Sequence, residues 1–156
     1  MQKIQLKVKK LLPEAKLPAY GSEFAAGADL YALSENPIRI APQETAIVHT
    51  GLAVEIPEGY VGLIFARSGL ATKKGLAPAN KVGVIDSDYR GELRVALYNH
   101  TKYVQTVEPF ERVAQFVIMP YDAAQFEEAE ELSDTVRGEG GFGSTGTKYN
   151  FLKKHL

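Results

Sequence analysis

The sequence predicts an all-β domain, a sandwich, jelly roll or barrel, with one short helix and a Gly-rich C-terminal arm. Three observations carry that class. Apolar residues recur with a period of two, the apolar runs are short and closely spaced, and turn-forming pairs separate them. Ile4, Leu6 and Val8 alternate with Lys3, Gln5, Lys7 and Lys9, which marks a first half-buried strand. The runs TAIVH (45–49), LAVEI (52–56), VGLIF (61–65), VGVI (82–85) and QFVIM (115–119) continue the pattern. Leu93, Val95 and Leu97 alternate with Glu92, Arg94 and Ala96. Ala41-Pro42, Glu58-Gly59, Arg90-Gly91 and Met119-Pro120 supply the turns. The helix is expected over Gly69 to Lys74. FEEAEEL (126–132) stays open between helix and strand, since Phe126, Ala129 and Leu132 are spaced three apart within a β context.

From Arg137 the composition changes. Four glycines fall between Gly138 and Gly143, too much backbone entropy for a core strand. Residues 1–136 are therefore read as a β domain and 137–156 as a tail, or as an arm that orders on a ligand.

Composition bounds the function. The chain has 156 residues, enough for one domain with a real core. A formal net charge of −1 argues against nucleic acid as a partner, because backbone binding needs a cationic surplus. The absence of cysteine excludes disulfides and thiolate zinc sites. His49, His100 and His155 lie far apart and are read as surface or structural histidines. No apolar run approaches a membrane span and no targeting segment opens the chain, so a soluble, cytoplasmic protein with no membrane partner is expected.

Five stretches carry chemistry. In NKVGVIDSDYRGEL (80–93) an apolar strand runs into Asp86, and a carboxylate at a strand end suits a general base. Tyr89 beside it offers a flat floor for a sugar or base. A solvated hairpin turn explains the same residues without function. In ARSGLATKKG (66–75), Arg67, Ser68 and the Gly69 N–H sit where a helix N-terminus favours an anion. Ser68 as an ordinary N-cap is the bland alternative, and it leaves Arg67 unexplained. In AAGADLYA (25–32), Asp29 follows small residues and offers oxygen to a hard cation. In ERVAQFVIM (111–119), Gln115 opens an apolar run where an amide needs partners, and Glu111 with Arg112 reads as a structural charge pair. In RGEGGFGSTGTK (137–148), glycine backbone, Ser144, Thr145 and Arg137 suit phosphate oxygens, and Phe142 suits stacking on a flat ligand.

Together these stretches resemble a known family. AGADLYA, ARSGLA, GVIDSDYRGE, RVAQ and RGEGGFGSTG occur in the order and spacing of the five motifs of the trimeric dUTP diphosphatases, over about Ala25 to Gly146. Ala66 departs from a usual proline, Phe110-Glu111 from Gly-Asp, and Lys74 from a common histidine.

The resemblance implies a β jelly roll, a homotrimer with shared sites, and Mg²⁺-assisted hydrolysis of dUTP to dUMP and pyrophosphate. Such an activity limits uracil in DNA and supplies dUMP for thymidylate synthesis. It implies that Asp86 activates the attacking water, and that Asp29 and Gln115 reach the metal through water. Arg67, Ser68 and Gly69 would bind phosphates. Asn80 and the backbone of Gly83, Val84 and Ile85 would read uracil, with Tyr89 under the deoxyribose and Arg94 nearby. Arg137, Phe142, Gly143, Ser144 and Thr145 would come from a neighbouring subunit as a lid. A dCTP deaminase of the same fold is the nearest rival, and the intact arm and Asp86 within IDSDY weigh against it. A non-catalytic nucleotide sensor ranks lower, since all the catalytic groups are present.

Overall fold

The computed structural model describes residues 3–142. Alternation becomes strand along the chain in the order β1 (Lys7–Lys10), β2 (Ala19–Tyr20), β3 (Ala28–Tyr31), β4 (Ile38–Ile40), β5 (Thr45–Glu55) and β6 (Tyr60–Phe65). Helix α1 (Ser68–Lys74) follows, then β7 (Leu76–Pro78), β8 (Gly83–Ile85), β9 (Glu92–Asn99), β10 (Gln105–Val107) and β11 (Arg112–Pro120). One sheet runs β1-β5-β9-β7, a second runs β2-β3-β11-β6-β8, and β4 pairs with β10 alone. Every pairing is antiparallel. Inward residues from both large sheets share one core: Val48, Leu93, Val95 and Leu97 from the first, Leu30, Ile64, Val113 and Phe116 from the second. The all-β, jelly-roll-like class expected from the sequence is the class observed.

The chain divides into two units, Met1–Ala123 and Ala124–Leu156. The division falls earlier than the compositional change at Arg137. FEEAEEL lies in the second unit and is neither helix nor strand. Phe126 and Leu132 are almost fully exposed there, so no apolar face exists to stabilise either periodicity. The first strand is also shorter than its alternation: Ile4 is exposed and pairing starts at Lys7↔Glu55.

TAIVH and LAVEI, separate runs in sequence, are one strand. Between them the β5–β9 register shifts, from His49↔Arg94 to Ala53↔Glu92. This bulge is built by Gly51, whose φ of 68° is the left-handed region, and a Cβ there would strike the Leu33 side chain. Thr50, fully buried, closes it by donating its hydroxyl to the Leu93 carbonyl at 2.6 Å. At the far end of β9, buried Asn99 donates to the carbonyls of Ile40, Ala41 and Tyr103 and accepts from Thr101, so its amide is satisfied.

Helix α1 begins one residue earlier than expected, and Ser68 is its first residue rather than its cap. Arg67 holds the N-cap position with extended backbone, and no side chain caps the helix. It ends on Gly75 at φ 61°, whose N–H bonds the Ala71 carbonyl. No helix among the described residues is long and apolar enough to cross a membrane.

Candidate functional site

The polar turn after an apolar strand builds the first part of the site. β8 is the last strand of its sheet, paired to β6 through Gly62↔Ile85 and Ile64↔Gly83. One edge of Gly83–Ile85 therefore carries main-chain donors and acceptors that the sheet does not use. That strand walls a cavity of about 290 Å³, which Asn80, Tyr89, Glu92 and Arg94 also line. Ligand pockets run from about 300 to 1,000 Å³, so this one suits a single small ring better than a whole nucleotide. The structure thus brings together Asn80, Gly83, Val84, Ile85, Tyr89 and Arg94.

Asp86 follows β8 directly, as expected of a strand-end carboxylate. It lines a second, wider cleft with Glu55, Glu58, Asp88 and Arg90, not the small cavity. Its side chain is exposed and joins no ion pair among the described residues.

Tyr89 is fixed from two sides. Its hydroxyl donates to the Glu92 carbonyl at 3.0 Å, and its ring crosses Gly91 so closely that a Cβ there would meet the ring and the hydroxyl. Glu92 in turn accepts the Gly51 N–H at 2.8 Å and lies 2.7 Å from His49 Nδ1. Burial of this carboxyl opposes ionisation. The hydrogen bonds from His49 and from the backbone of Gly51 and Thr50 outweigh it and hold Glu92 below the ordinary carboxylate value.

The phosphate and metal candidates meet at the start of α1. Asp29 on β3 is register partner to Gln115 on β11, which pairs in turn with Phe65 at the end of β6, and Arg67 follows two residues later. The Asp29 carboxylate is buried. It accepts Arg67 Nε at 2.7 Å and Arg112 Nη1 at 3.2 Å. This explains a cation at a helix N-terminus: Asp29 balances the guanidinium that the helix alone disfavours. The charge pair expected between Glu111 and Arg112 does not form. Glu111 instead takes Lys74 Nζ on both oxygens, at 2.7 and 2.8 Å, because it closes the turn at 108–111 while Arg112 opens β11 and reaches Asp29. Lys74 also donates to the Thr106 carbonyl. The N-terminal end of α1 is thus pinned to Asp29 on β3, and its C-terminal end to Glu111 just before β11.

As ligands for a cation, Asp29 and Gln115 offer two oxygen-bearing side chains at adjacent positions, with the carboxylate charge already offset by two arginines. No group of three or more His, Asp or Glu residues that could hold a metal occurs among the described residues. Such a donor set suits a cation that brings other ligands with it.

In the second unit Arg137 Nε donates to the Gly140 carbonyl at 2.7 Å, and Phe142 is fully exposed. Gly143, Ser144, Thr145 and His155 lie outside the described residues. Glu92 and Arg112 are functional neighbours that motif reading left without a role. The outward alternation Glu92, Arg94, Ala96 was the signal that could have placed Glu92, since all three line the small cavity.

Known proteins match this arrangement. The dUTPase family model matches residues 13–146. A deoxyuridine 5'-triphosphate nucleotidohydrolase of Nautilia profundicola is 50% identical over 143 residues, covering 92% of this chain and 99% of the relative. That of Escherichia phage T5 is 48% identical over 149 residues, covering 92% and 99%. The Staphylococcus bacteriophage 80alpha dUTPase with dUpNHpp superposes with a TM-score of 0.85 at 32% identity, covering 93% of this chain and 100% of the other. A variant dUTPase from phage phi11 of S. aureus, described as coordinating a structural Mg(II) ion, gives 0.72 at 27% identity, covering 82% and 98%.

Proposed function

Because the chain belongs to the dUTPase family, we propose that it hydrolyses dUTP to dUMP and pyrophosphate. The observation that carries this is the small cavity walled by β8, an edge strand with main-chain groups its sheet leaves unused, since a slot of fixed main-chain groups is what a single base requires. A hydrogen-bonding slot rejects cytosine sharply, because the wrong edge leaves buried groups unpaired. Thymine is excluded by the bulk of its methyl group. Tyr89 lies under the sugar and leaves no room for a 2′-hydroxyl. Arg67, Ser68 and the Gly69 N–H hold phosphate oxygens, with Asp29 keeping the Arg67 guanidinium in place.

Asp86 accepts a proton from water as the water oxygen attacks the α-phosphorus. The bond from that phosphorus to the bridging oxygen breaks, and pyrophosphate leaves. Asp29 and Gln115 would hold Mg²⁺ through water, and the ion would supply neutralisation of the charge on the leaving pyrophosphate. The assembly is a homotrimer, and Arg137, Phe142, Gly143, Ser144 and Thr145 of one subunit cover the nucleotide bound at its neighbours. The family match does not favour the deaminase alternative.

The test is to incubate the protein with each dNTP and with UTP in Mg²⁺ and to measure pyrophosphate. Release from dUTP alone is expected. Ammonia from dCTP, or equal turnover of all nucleotides, would overturn the reading. Light scattering that shows an active monomer would remove the shared lid.

A further inference from the structure

We propose that Glu92 is a positioning residue for Tyr89 and thereby sets discrimination at the 2′ position of the sugar. The inference rests on the functional reading above. It begins with the way the Tyr89 ring is held. The hydroxyl is tied to the Glu92 carbonyl, and the ring passes over Gly91 with no space for a side chain. The ring is therefore referred to the main chain at residues 91 and 92. It moves if that main chain moves.

Glu92 is the first residue of β9 and stands opposite the bulge in β5. A strand end beside a bulge lacks regular ladder bonds and is prone to fray. The Glu92 side chain supplies what the ladder does not. Its Oε1 takes the Gly51 N–H at 2.8 Å, and its Oε2 meets His49 Nδ1 at 2.7 Å. The side chain is only 19% exposed, so these contacts form in partial shelter from water. One residue thus fastens the bulge with its carboxylate and the sugar floor with its carbonyl. His49 adds to the fastening from the strand position paired with Arg94, which lines the same cavity.

A floor that excludes a hydroxyl works only while it stays in place. Loosening it admits the ribonucleotide more than it harms the deoxyribonucleotide. The quantity that reports this is the ratio of kcat/KM for dUTP to kcat/KM for UTP. A purely structural loss lowers both values and leaves the ratio alone.

Glu92→Ala is expected to narrow the ratio about tenfold, the scale of one lost hydrogen bond to a charged group. Glu92→Gln keeps an acceptor for the Gly51 N–H and should restore the ratio to within about twofold of the parent. His49→Ala removes only one of the two fastenings and should narrow it less than Glu92→Ala. Tyr89→Phe removes the hydroxyl, and adding Glu92→Ala to it should narrow the ratio no further, because the two act through one contact. An unchanged ratio in Glu92→Ala overturns the proposal, as does full additivity with Tyr89→Phe. If Glu92→Ala does not fold, His49→Ala and Tyr89→Phe decide it by the same ratio, and an unchanged ratio in both overturns it. Failure of the functional reading shows itself separately, as a parent protein that does not turn over dUTP.

Discussion

Replacing Asp29 by alanine tests the arginine clamp at the start of α1. The Asp29 side chain is 5% exposed and accepts from two guanidinium groups. The Arg67 bond, at 2.7 Å with Arg67 only 22% exposed, is short and sheltered. A hydrogen bond to a charged group of that kind contributes about 1.5–3 kcal/mol. The Arg112 contact is longer, at 3.2 Å, and Arg112 is 51% exposed, so solvent screening reduces it to about 0–1 kcal/mol. Arg67 regains some water once freed, which returns part of the loss. The expected destabilisation is about 2–3 kcal/mol, or roughly 5–10 °C in Tm for a chain of this length. Thermal and urea unfolding at matched protein concentration measure it, since association makes Tm concentration-dependent. The loss should be equal in excess Mg²⁺ and in EDTA, because it comes from arginine partners. kcat/KM should fall as Arg67 loses its orientation. A Tm within about 1 °C of the parent refutes the clamp. A loss seen only in Mg²⁺ refutes the assignment of Asp29 to the arginines and makes it chiefly a metal residue.

Asp86→Asn should fold and bind dUTP while kcat falls about 10²- to 10⁴-fold, the usual contribution of a positioned base; near-normal kcat removes Asp86 from that role. Deleting residues 137–156 should leave Tm unchanged, since every residue of the core cluster precedes Ala123, yet should abolish most turnover, with Phe142→Ala milder. Lys74→Met should destabilise by about 1–2 kcal/mol in urea unfolding, because among the described residues Glu111 then keeps only the Glu108 N–H as a partner of its carboxylate. Glu92 titrates below its ordinary value of 4.5 in the folded chain, so its stabilisation is complete above that value and is lost as pH falls through the folded one. The stability gap between the parent and Glu92→Gln should therefore close on acidification below about pH 4.5.

What the sequence disclosed follows from the range of the forces involved. Leu93, Val95 and Leu97 alternate because one sheet face is buried, and that pattern is local. The strand-to-turn passage at Ile85-Asp86 is local too, as are Asn80, Gly83, Val84, Ile85 and Tyr89, which line one cavity while Asp86 lines the neighbouring cleft. The partners of Asp29, Glu111 and Lys74 are not local. Asp29 meets Arg112 across 83 positions and Lys74 meets Glu111 across 37, so only the strand order β3-β11-β6 and the docking of α1 create those pairs. The Glu111-Arg112 expectation failed because Glu111 belongs to the turn before β11 and faces Lys74, while Arg112 opens the strand and faces Asp29. FEEAEEL failed for a different reason: a seven-residue pattern specifies nothing where no face is buried.

The free edge of β8 has a consequence for how this protein can change. Recognition written in the main chain is shielded from ordinary point mutation, because swapping one side chain for another leaves every peptide group where it was. Val84, 62% exposed, can drift among many residues with the edge intact. Proline is the exception at these positions, since it deletes a donor outright. A lineage, or a directed-evolution campaign, that seeks a new base preference at this edge would therefore have to lengthen, shorten or re-register the 80–91 segment. On the proposed reading of this edge, insertions and deletions rather than substitutions would change its specificity.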